Sequence, residues 1–187
     1  MASPISCISI FLLPLIATSL FFQVSNATFE VKADQALIDS ICEQTQDVDF
    51  CKSTFNADPR TPAADRDGLG LLSIAINIDV VQATIDDTIP EIVKTLTDPV
   101  DKQRIQVCLT DYNDALVILK AAYTASSEKN YKEVIGLITD AANKIVDCDG
   151  AYRKSPPIRE PPISGENDKV TKLTDITYDV IIDLISK

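Results

Sequence analysis

Residues 99–153 contain two apolar series on either side of a short polar break, and no other feature constrains the fold as strongly. On both sides of the break, apolar residues recur alternately three and four positions apart, which places each series along one face of an α-helix. The break is Ser126-Ser127-Glu128-Lys129-Asn130; the first series is Ile105, Cys108, Tyr112, Ala115, Leu119 and Ala122, and the second is Tyr131, Val134, Ile138, Ala141, Ile145, Cys148 and Tyr152. The pattern predicts two antiparallel helices joined by a turn near residue 128.

Each predicted arm carries one cysteine, and the two cysteines are equally far from the turn. Cys108 and Cys148 both lie 20 residues from residue 128, which corresponds to about 30 Å of helix at about 1.5 Å per residue. Their sulfur atoms are therefore expected to meet across the hairpin and form a disulfide. In the chain-entropy model, a bond that closes a loop of this length contributes roughly 4 kcal/mol to stability.

The N-terminus has the pattern of a secretory signal. Residues 1–27 contain no charged side chain, residues 7–22 are almost wholly apolar, and the small residues Ser25 and Ala27 precede the expected cleavage site. This pattern predicts a signal peptide at residues 1–27 and a mature domain at residues 28–187. The alternative is an uncleaved membrane anchor, but Pro14 and the shortness of the apolar run argue against it.

Removal of Cys7 with the signal leaves four of the five cysteines. An even number of cysteines in a secreted chain predicts disulfides. The hairpin bond leaves Cys42 and Cys51 to pair with each other, which would join two short helical stretches into an N-terminal helical hairpin at residues 28–57. The alternative is a zinc site, which these spacings fit poorly in a chain without histidine.

The rest of the sequence predicts helices and no strands. The helix after the N-terminal hairpin is expected to have Thr61 as its cap and Pro62 as its first residue, and Pro90 should bend or divide it. A stiff proline-rich connector at residues 156–162 precedes the last helix. The fold class is therefore all-α: an antiparallel up-down four-helix bundle at residues 61–187, preceded by the N-terminal hairpin and carrying two disulfides.

Two helix starts follow from local signals. Asp98 and Pro99 are expected to be the cap and the first residue of the first hairpin arm. Asn130 is expected to cap the second arm, with Glu133 reaching back to it.

Composition argues against several classes of function. The formal net charge is −11 and there is no histidine, so neither nucleic acid nor an anionic membrane surface is expected as a partner of the mature chain. Without histidine, the usual Ser-His and Cys-His nucleophile systems and the commonest metal ligand are missing. The acidic residues fall mostly on polar helix faces, although their number alone leaves an acid pair of the glycosidase type open. The sequence favours a binding protein without a metal, a cofactor or catalytic residues.

Several motifs together are similar to those of the plant invertase and pectin methylesterase inhibitor family. They are Ile38-Asp39-Ser40-Ile41-Cys42 followed by Thr45, Phe50-Cys51, Asp58-Pro59-Arg60, Ala64-Asp65 followed by Gly68-Leu69, Cys108 followed by Tyr112, and Asp147-Cys148. The resemblance implies a secreted four-helix bundle with an N-terminal helical hairpin. It also implies that the first cysteine pairs with the second and the third with the fourth, in agreement with the hairpin argument.

The resemblance also suggests where a target enzyme would bind. In invertase inhibitors of this family, a Pro-Lys-Phe motif at the start of the third main helix enters the substrate cleft of the enzyme. The matching residues here are Lys129, Asn130 and Tyr131, so the aromatic residue is kept and a lysine lies one position away, but the motif is not intact. A simpler interpretation is a polar turn in which Tyr131 begins the apolar series.

The branch of the family sets the expected target. Pectin methylesterase inhibitors often carry a further cysteine in the last helix, where this sequence has Thr174. We therefore expect a secreted inhibitor that blocks the substrate cleft of plant acid invertase (β-fructofuranosidase), in the cell wall (apoplast) or alternatively in the vacuole. The alternatives are an inhibitor of pectin methylesterase and, from another class, a secreted helical binding or storage protein without an enzyme target.

Overall fold

A computed structural model of the chain describes residues 35–186. Over that range the chain forms helices and no strand: α1 (Gln35–Cys42), α2 (Val48–Ala57), α3 (Arg66–Ala83), α4 (Ile89–Thr95), α5 (Pro99–Ser127), α6 (Tyr131–Arg153) and α7 (Ser164–Ile185). The predicted all-α bundle is confirmed, with α3 and α4 forming the first of the four main helices. The predicted signal peptide, its cleavage site and residues 28–34 of the predicted N-terminal hairpin lie outside the described residues.

The α5–α6 hairpin forms the centre of the bundle. Every member of the two apolar series is buried except Tyr131, which is half-buried. The structure joins Cys108 to Cys148 with a Cα–Cα distance of 4.4 Å. The Tyr112 hydroxyl donates a hydrogen bond of 3.0 Å to Oδ1 of Asn167 on α7, so α5 is bonded to both α6 and α7 near this disulfide.

The N-terminal hairpin consists of α1 and α2 and packs on one side of the bundle. A disulfide joins Cys42 to Cys51, and Ile41 and Phe55 are fully buried. These residues form one apolar cluster with residues of α3 and α7, namely Leu69, Leu72, Leu173, Ile176 and Val180. Two helices of eight and ten residues are too short to be stable alone, so they depend on this cluster and on the disulfide.

The first main helix starts later than predicted and changes its geometry before Pro90. Pro62 lies in a short 3₁₀ turn, Thr61–Ala63, and α3 begins at Arg66 because Asp65 accepts a hydrogen bond of 2.7 Å from the Gly68 amide. The predicted cap at Thr61 is therefore wrong. A π-helical segment, Thr84–Thr88, joins α3 to α4 just before Pro90, where a proline has no amide hydrogen to donate and its ring crowds the preceding turn.

The stretch Arg66–Thr95 is long and apolar enough to cross a membrane by composition alone. Its buried apolar residues, however, pack inside the protein: Ile74, Val81 and Ile89 lie in the core with α5 and α7, and Leu69 and Leu72 lie in the cluster with the N-terminal hairpin. This stretch is therefore the core helix of the bundle.

Two arginines bond the proline-rich connector between α6 and α7 to the start of α5. Arg104 donates to the backbone oxygens of Ser155 and Pro157 at 2.7 and 2.8 Å, and its guanidinium carbon lies 5.5 Å from the centre of the Tyr152 ring. Arg159 forms ion pairs with Asp98 and Asp101 at the start of α5. The connector therefore packs against the end of the bundle that lies opposite the α5–α6 turn.

Candidate target-binding surfaces

The described residues contain no group of three cysteine, aspartate or glutamate side chains that could hold a metal ion. Two surfaces are candidates for contact with another protein: the turn between α5 and α6, called here the hairpin tip (residues 128–131), and the solvent-facing side of α5.

The backbone of the hairpin tip closes α5 with a Schellman motif. The Lys129 amide donates to the Ser126 oxygen at 3.0 Å and the Asn130 amide to the Ala125 oxygen at 2.9 Å. Lys129 has a φ of 60°, at the position where this motif usually has glycine. The left-handed conformation costs a residue with a Cβ roughly 1 kcal/mol or more, so contacts elsewhere must hold the turn in place.

Asp67, in the first turn of α3, supplies those contacts. Its Oδ1 accepts a hydrogen bond of 3.0 Å from the Tyr131 hydroxyl, and its Oδ2 forms a short ion pair with Nζ of Lys129. The Lys129 ammonium holds the pKa of the Asp67 carboxyl below its ordinary value. Burial, and after it the bond to Asp67, raises the pKa of the Tyr131 hydroxyl. The tip is therefore attached to α3 as well as to its own two helices.

The three residues predicted to bind the target do lie together at the tip, but each has a partner within the chain. Lys129 and Tyr131 contact Asp67, while Nδ2 of Asn130 donates to the Glu133 carboxylate. Asn130 occupies the cap position of α6, as predicted, but its side chain accepts no backbone hydrogen bond. Sequence reasoning missed Asp67, since it lies more than 60 positions before the tip and only the tertiary structure brings them together.

The solvent-facing side of α5 is long and mostly uncharged. We call it the α5 outer face; its exposed residues are Val100, Gln103, Gln106, Val107, Thr110, Asn113, Val117, Ala121 and Thr124. Val117, near the middle, is 68% exposed. Lys102 and Lys120 flank the face. Asp114 lies within it with a side chain that is 49% exposed, and its charge is paired with Lys144. Because the centres of protein interfaces are depleted of charge, a face whose one carboxylate is paired is a candidate contact surface on a chain with a net charge of −11.

A buried carboxyl group lies beneath this side of the hairpin. Asp111 on α5 is only 9% exposed, and its Oδ2 has no hydrogen-bond partner within residues 35–186. Burial raises the pKa of Asp111, and the nearby Asp147 carboxylate on α6 raises it further. Asp111 is therefore a source of pH-dependent stability in the hairpin.

The fold defines a class of protein: a helical bundle braced by two disulfides, with preformed surfaces at the hairpin tip and along α5. A family model described as "Plant invertase/pectin methylesterase inhibitor" matches residues 36–180. The chain belongs to this family. Members of the family are enzyme inhibitors, so the protein is an inhibitor whose partner is an enzyme of one of these two kinds.

Individual relatives carry both kinds of name. The chain is 34% identical over 142 residues to "Pectinesterase inhibitor 5" of Arabidopsis thaliana, covering 74% of this chain and 78% of the relative. It is 29% identical over 98 residues to "Cell wall / vacuolar inhibitor of fructosidase 2" of the same plant, covering 52% of this chain and 54% of the relative.

A solved structure supports the fold independently. The crystal structure of mutant form A of a pectin methylesterase inhibitor from Arabidopsis has a TM-score of 0.65 and 16% sequence identity, covering 78% of this chain and 95% of that chain. At this level of identity the likeness concerns the fold alone.

Proposed function

We propose that this protein inhibits a pectin methylesterase and that the α5 outer face makes the central contact. The observation that carries the proposal is the exposed and mostly uncharged side of α5, with Val117 in its middle. The hairpin tip, in contrast, has its lysine and its tyrosine bonded to Asp67. The 34% identical relative that is named a pectinesterase inhibitor gives further support.

The inhibition would be steric and would require no chemistry by the inhibitor. The disulfide and the Tyr112–Asn167 hydrogen bond hold α5 against α6 and α7, so little conformational entropy is lost when the helix docks. A rigid helix placed across the mouth of the enzyme's substrate groove would exclude the polysaccharide.

The test is inhibition of a purified plant pectin methylesterase by the wild-type protein and by Val117→Arg. A buried, unpaired arginine is costly at the centre of an interface, so the inhibition constant should rise at least about tenfold, equivalent to about 1.4 kcal/mol. The matched control is Val146→Arg, because Val146 is 56% exposed and lies beside α7 rather than on the α5 outer face. Equal potency of Val117→Arg and wild type would contradict the proposed surface.

Acid invertase, expected from the sequence, is the second candidate target. It is favoured by the Lys129 side chain, which is 66% exposed at the tip, and by the relative that is named an inhibitor of fructosidase. The double variant Lys129→Ala/Tyr131→Ala tests it. Loss of invertase inhibition with unchanged inhibition of pectin methylesterase would assign the tip to invertase, whereas a wild-type protein inactive against both enzymes would favour the class without an enzyme target.

We further propose that the protein acts outside the cytosol, in the apoplast or alternatively in the vacuole. The signal-like residues 1–27 support this, as do two disulfides, which persist in oxidising compartments. A C-terminal fluorescent fusion viewed after plasmolysis would separate the two compartments, and a cytosolic signal would contradict both.

A further inference from the structure

The connector between α6 and α7 exposes an isoleucine to solvent. Ile158 is 61% exposed, and it lies in the middle of the sequence Pro156-Pro157-Ile158-Arg159-Glu160-Pro161-Pro162. An isoleucine on a loose loop would gain little by binding, because ordering the loop would offset much of the gain. The contacts of its neighbours therefore decide whether Ile158 can act as an anchor.

Those neighbours are fixed on both sides. Before Ile158, the Pro157 oxygen accepts from Arg104, a side chain that is itself almost fully buried. After it, the Arg159 amide donates to the Tyr152 oxygen at 3.2 Å, and the Arg159 guanidinium forms ion pairs with Asp98 and Asp101. Ile158 is thus an exposed side chain between two residues that are bonded to the bundle.

Ile158 follows the chain to the start of α5, because the next residue, Arg159, is bonded there. Asp98 caps α5 and Asp101 lies in its first turn, so the Arg159 ion pairs place the connector at the start of that helix. Val100, between the two aspartates in sequence, is exposed and is the first member of the α5 outer face. Arg159 pairs with both aspartates and so offsets one of their two negative charges, while Val100 on the helix and Ile158 on the connector are both exposed apolar side chains.

We propose that Ile158 is an anchor residue for the target enzyme, extending the α5 outer face beyond the end of the helix and entering an apolar pocket on the enzyme. The inference rests on the proposed function, since the partner is the enzyme that contacts α5. Interface anchors are typically apolar side chains held in place before binding, and the two arginine contacts provide that restraint.

The first experiment compares Ile158→Asp with Ile185→Asp in the pectin methylesterase inhibition assay. Both isoleucines are exposed; Ile185 is 49% exposed, near the end of α7. We expect the inhibition constant to rise about tenfold or more for Ile158→Asp and less than about twofold for Ile185→Asp, because a buried carboxylate without a partner is strongly disfavoured. Unchanged thermal unfolding of both variants would place the loss at the interface.

The second experiment loosens the restraint and leaves the anchor in place. Arg159→Gln removes the ion pairs with Asp98 and Asp101, and we expect a rise of roughly threefold in the inhibition constant, since more freedom is lost on binding. Added to Ile158→Asp, the same change should have no further effect. Additive losses would show that Arg159 acts without Ile158 and would overturn the anchor.

The outcomes separate this inference from the proposed function. If Val117→Arg impairs inhibition and Ile158→Asp does not, the anchor is wrong and the α5 surface stands. If Ile158→Asp impairs inhibition and Val117→Arg does not, Ile158 contacts the enzyme without the α5 outer face, and the proposed extension of that face is wrong. If the wild-type protein does not inhibit pectin methylesterase, the proposed function fails, and the anchor fails with it.

Discussion

Asp67 accepts a hydrogen bond of 3.0 Å from the hydroxyl of Tyr131 and so joins the first turn of α3 to the first residue of α6. The two residues are 64 positions apart in the chain. Together with the Lys129 ion pair, this bond fixes the hairpin tip, which the sequence suggested as the residues presented to an enzyme.

Removal of this bond should cost measurable stability. Tyr131→Phe and Asp67→Asn should each lower the free energy of unfolding, and a double-mutant cycle should give a coupling of about 0.5–1 kcal/mol, because the acceptor is charged but more than a third exposed. Urea denaturation at pH 7 measures it. A coupling of zero would show that the hydroxyl and the carboxylate do not bond in solution.

The buried Asp111 should contribute to the stability of the protein at acidic pH, in contrast to carboxylates whose pKa is lowered in the folded state. Its folded-state pKa is raised above the ordinary value of 3.8, so the folded chain holds this proton more tightly than the unfolded chain. The contribution of Asp111 therefore falls as pH rises from about 4 through the folded pKa.

Asp111→Asn tests this directly. At pH 7 the variant should be more stable than the wild type by on the order of 1 kcal/mol, because a desolvated charge has been removed, and the gain should shrink as pH falls towards 4. The control is Asp140→Asn at an exposed position of α6. A variant less stable than the wild type at pH 7 would show that the carboxylate has a favourable partner.

Asn77 is a second buried polar side chain without hydrogen-bond partners in the described part of the chain. The residue is fully buried on α3, and neither Nδ2 nor Oδ1 is paired. Replacement by the similarly shaped leucine should raise the free energy of unfolding by about 1–3 kcal/mol, since the desolvation cost of an unsatisfied amide is removed. Chemical denaturation measures the change, and a loss of stability would contradict the unpaired state.

The two disulfides should contribute unequally. Cys108–Cys148 spans 40 positions and Cys42–Cys51 spans nine, so the chain-entropy model gives roughly 4 and 3 kcal/mol respectively. Paired Cys→Ala variants of each bond, compared by denaturation without reductant, test the order. A larger loss from the shorter bond would mean that docking of the N-terminal hairpin, rather than loop closure, dominates.

The core of the hairpin could be predicted from the sequence because it depends on local periodicity. Cys108 and Cys148 are paired as their equal distance from residue 128 implied, and Asp98 caps α5 as expected. The start of α3 could not be placed correctly from the sequence. Thr61 and Asp65 are both polar residues that precede the helical pattern, and the structure has Asp65 as the N-cap.

The candidate surfaces were predictable only in part. Residues 129–131 were expected at the tip, but their bonds to Asp67 depend on how α3 packs against the hairpin, which no local pattern encodes. The α5 outer face is the complement of the predicted apolar series, so its position was implied. The pairing of Asp114 with Lys144, which neutralises the carboxylate of this face, could not be predicted because Lys144 lies on the neighbouring helix.

The length of α5 limits how one enzyme can meet this inhibitor. The helix has 29 residues and is therefore about 43 Å long, with the Asp67-bound turn at one end and Ile158 at the other. The hairpin tip and Ile158 are therefore separate surfaces, divided by the whole length of this helix. Contact with one of them does not require contact with the other, so one molecule offers two distinct places for another protein to bind.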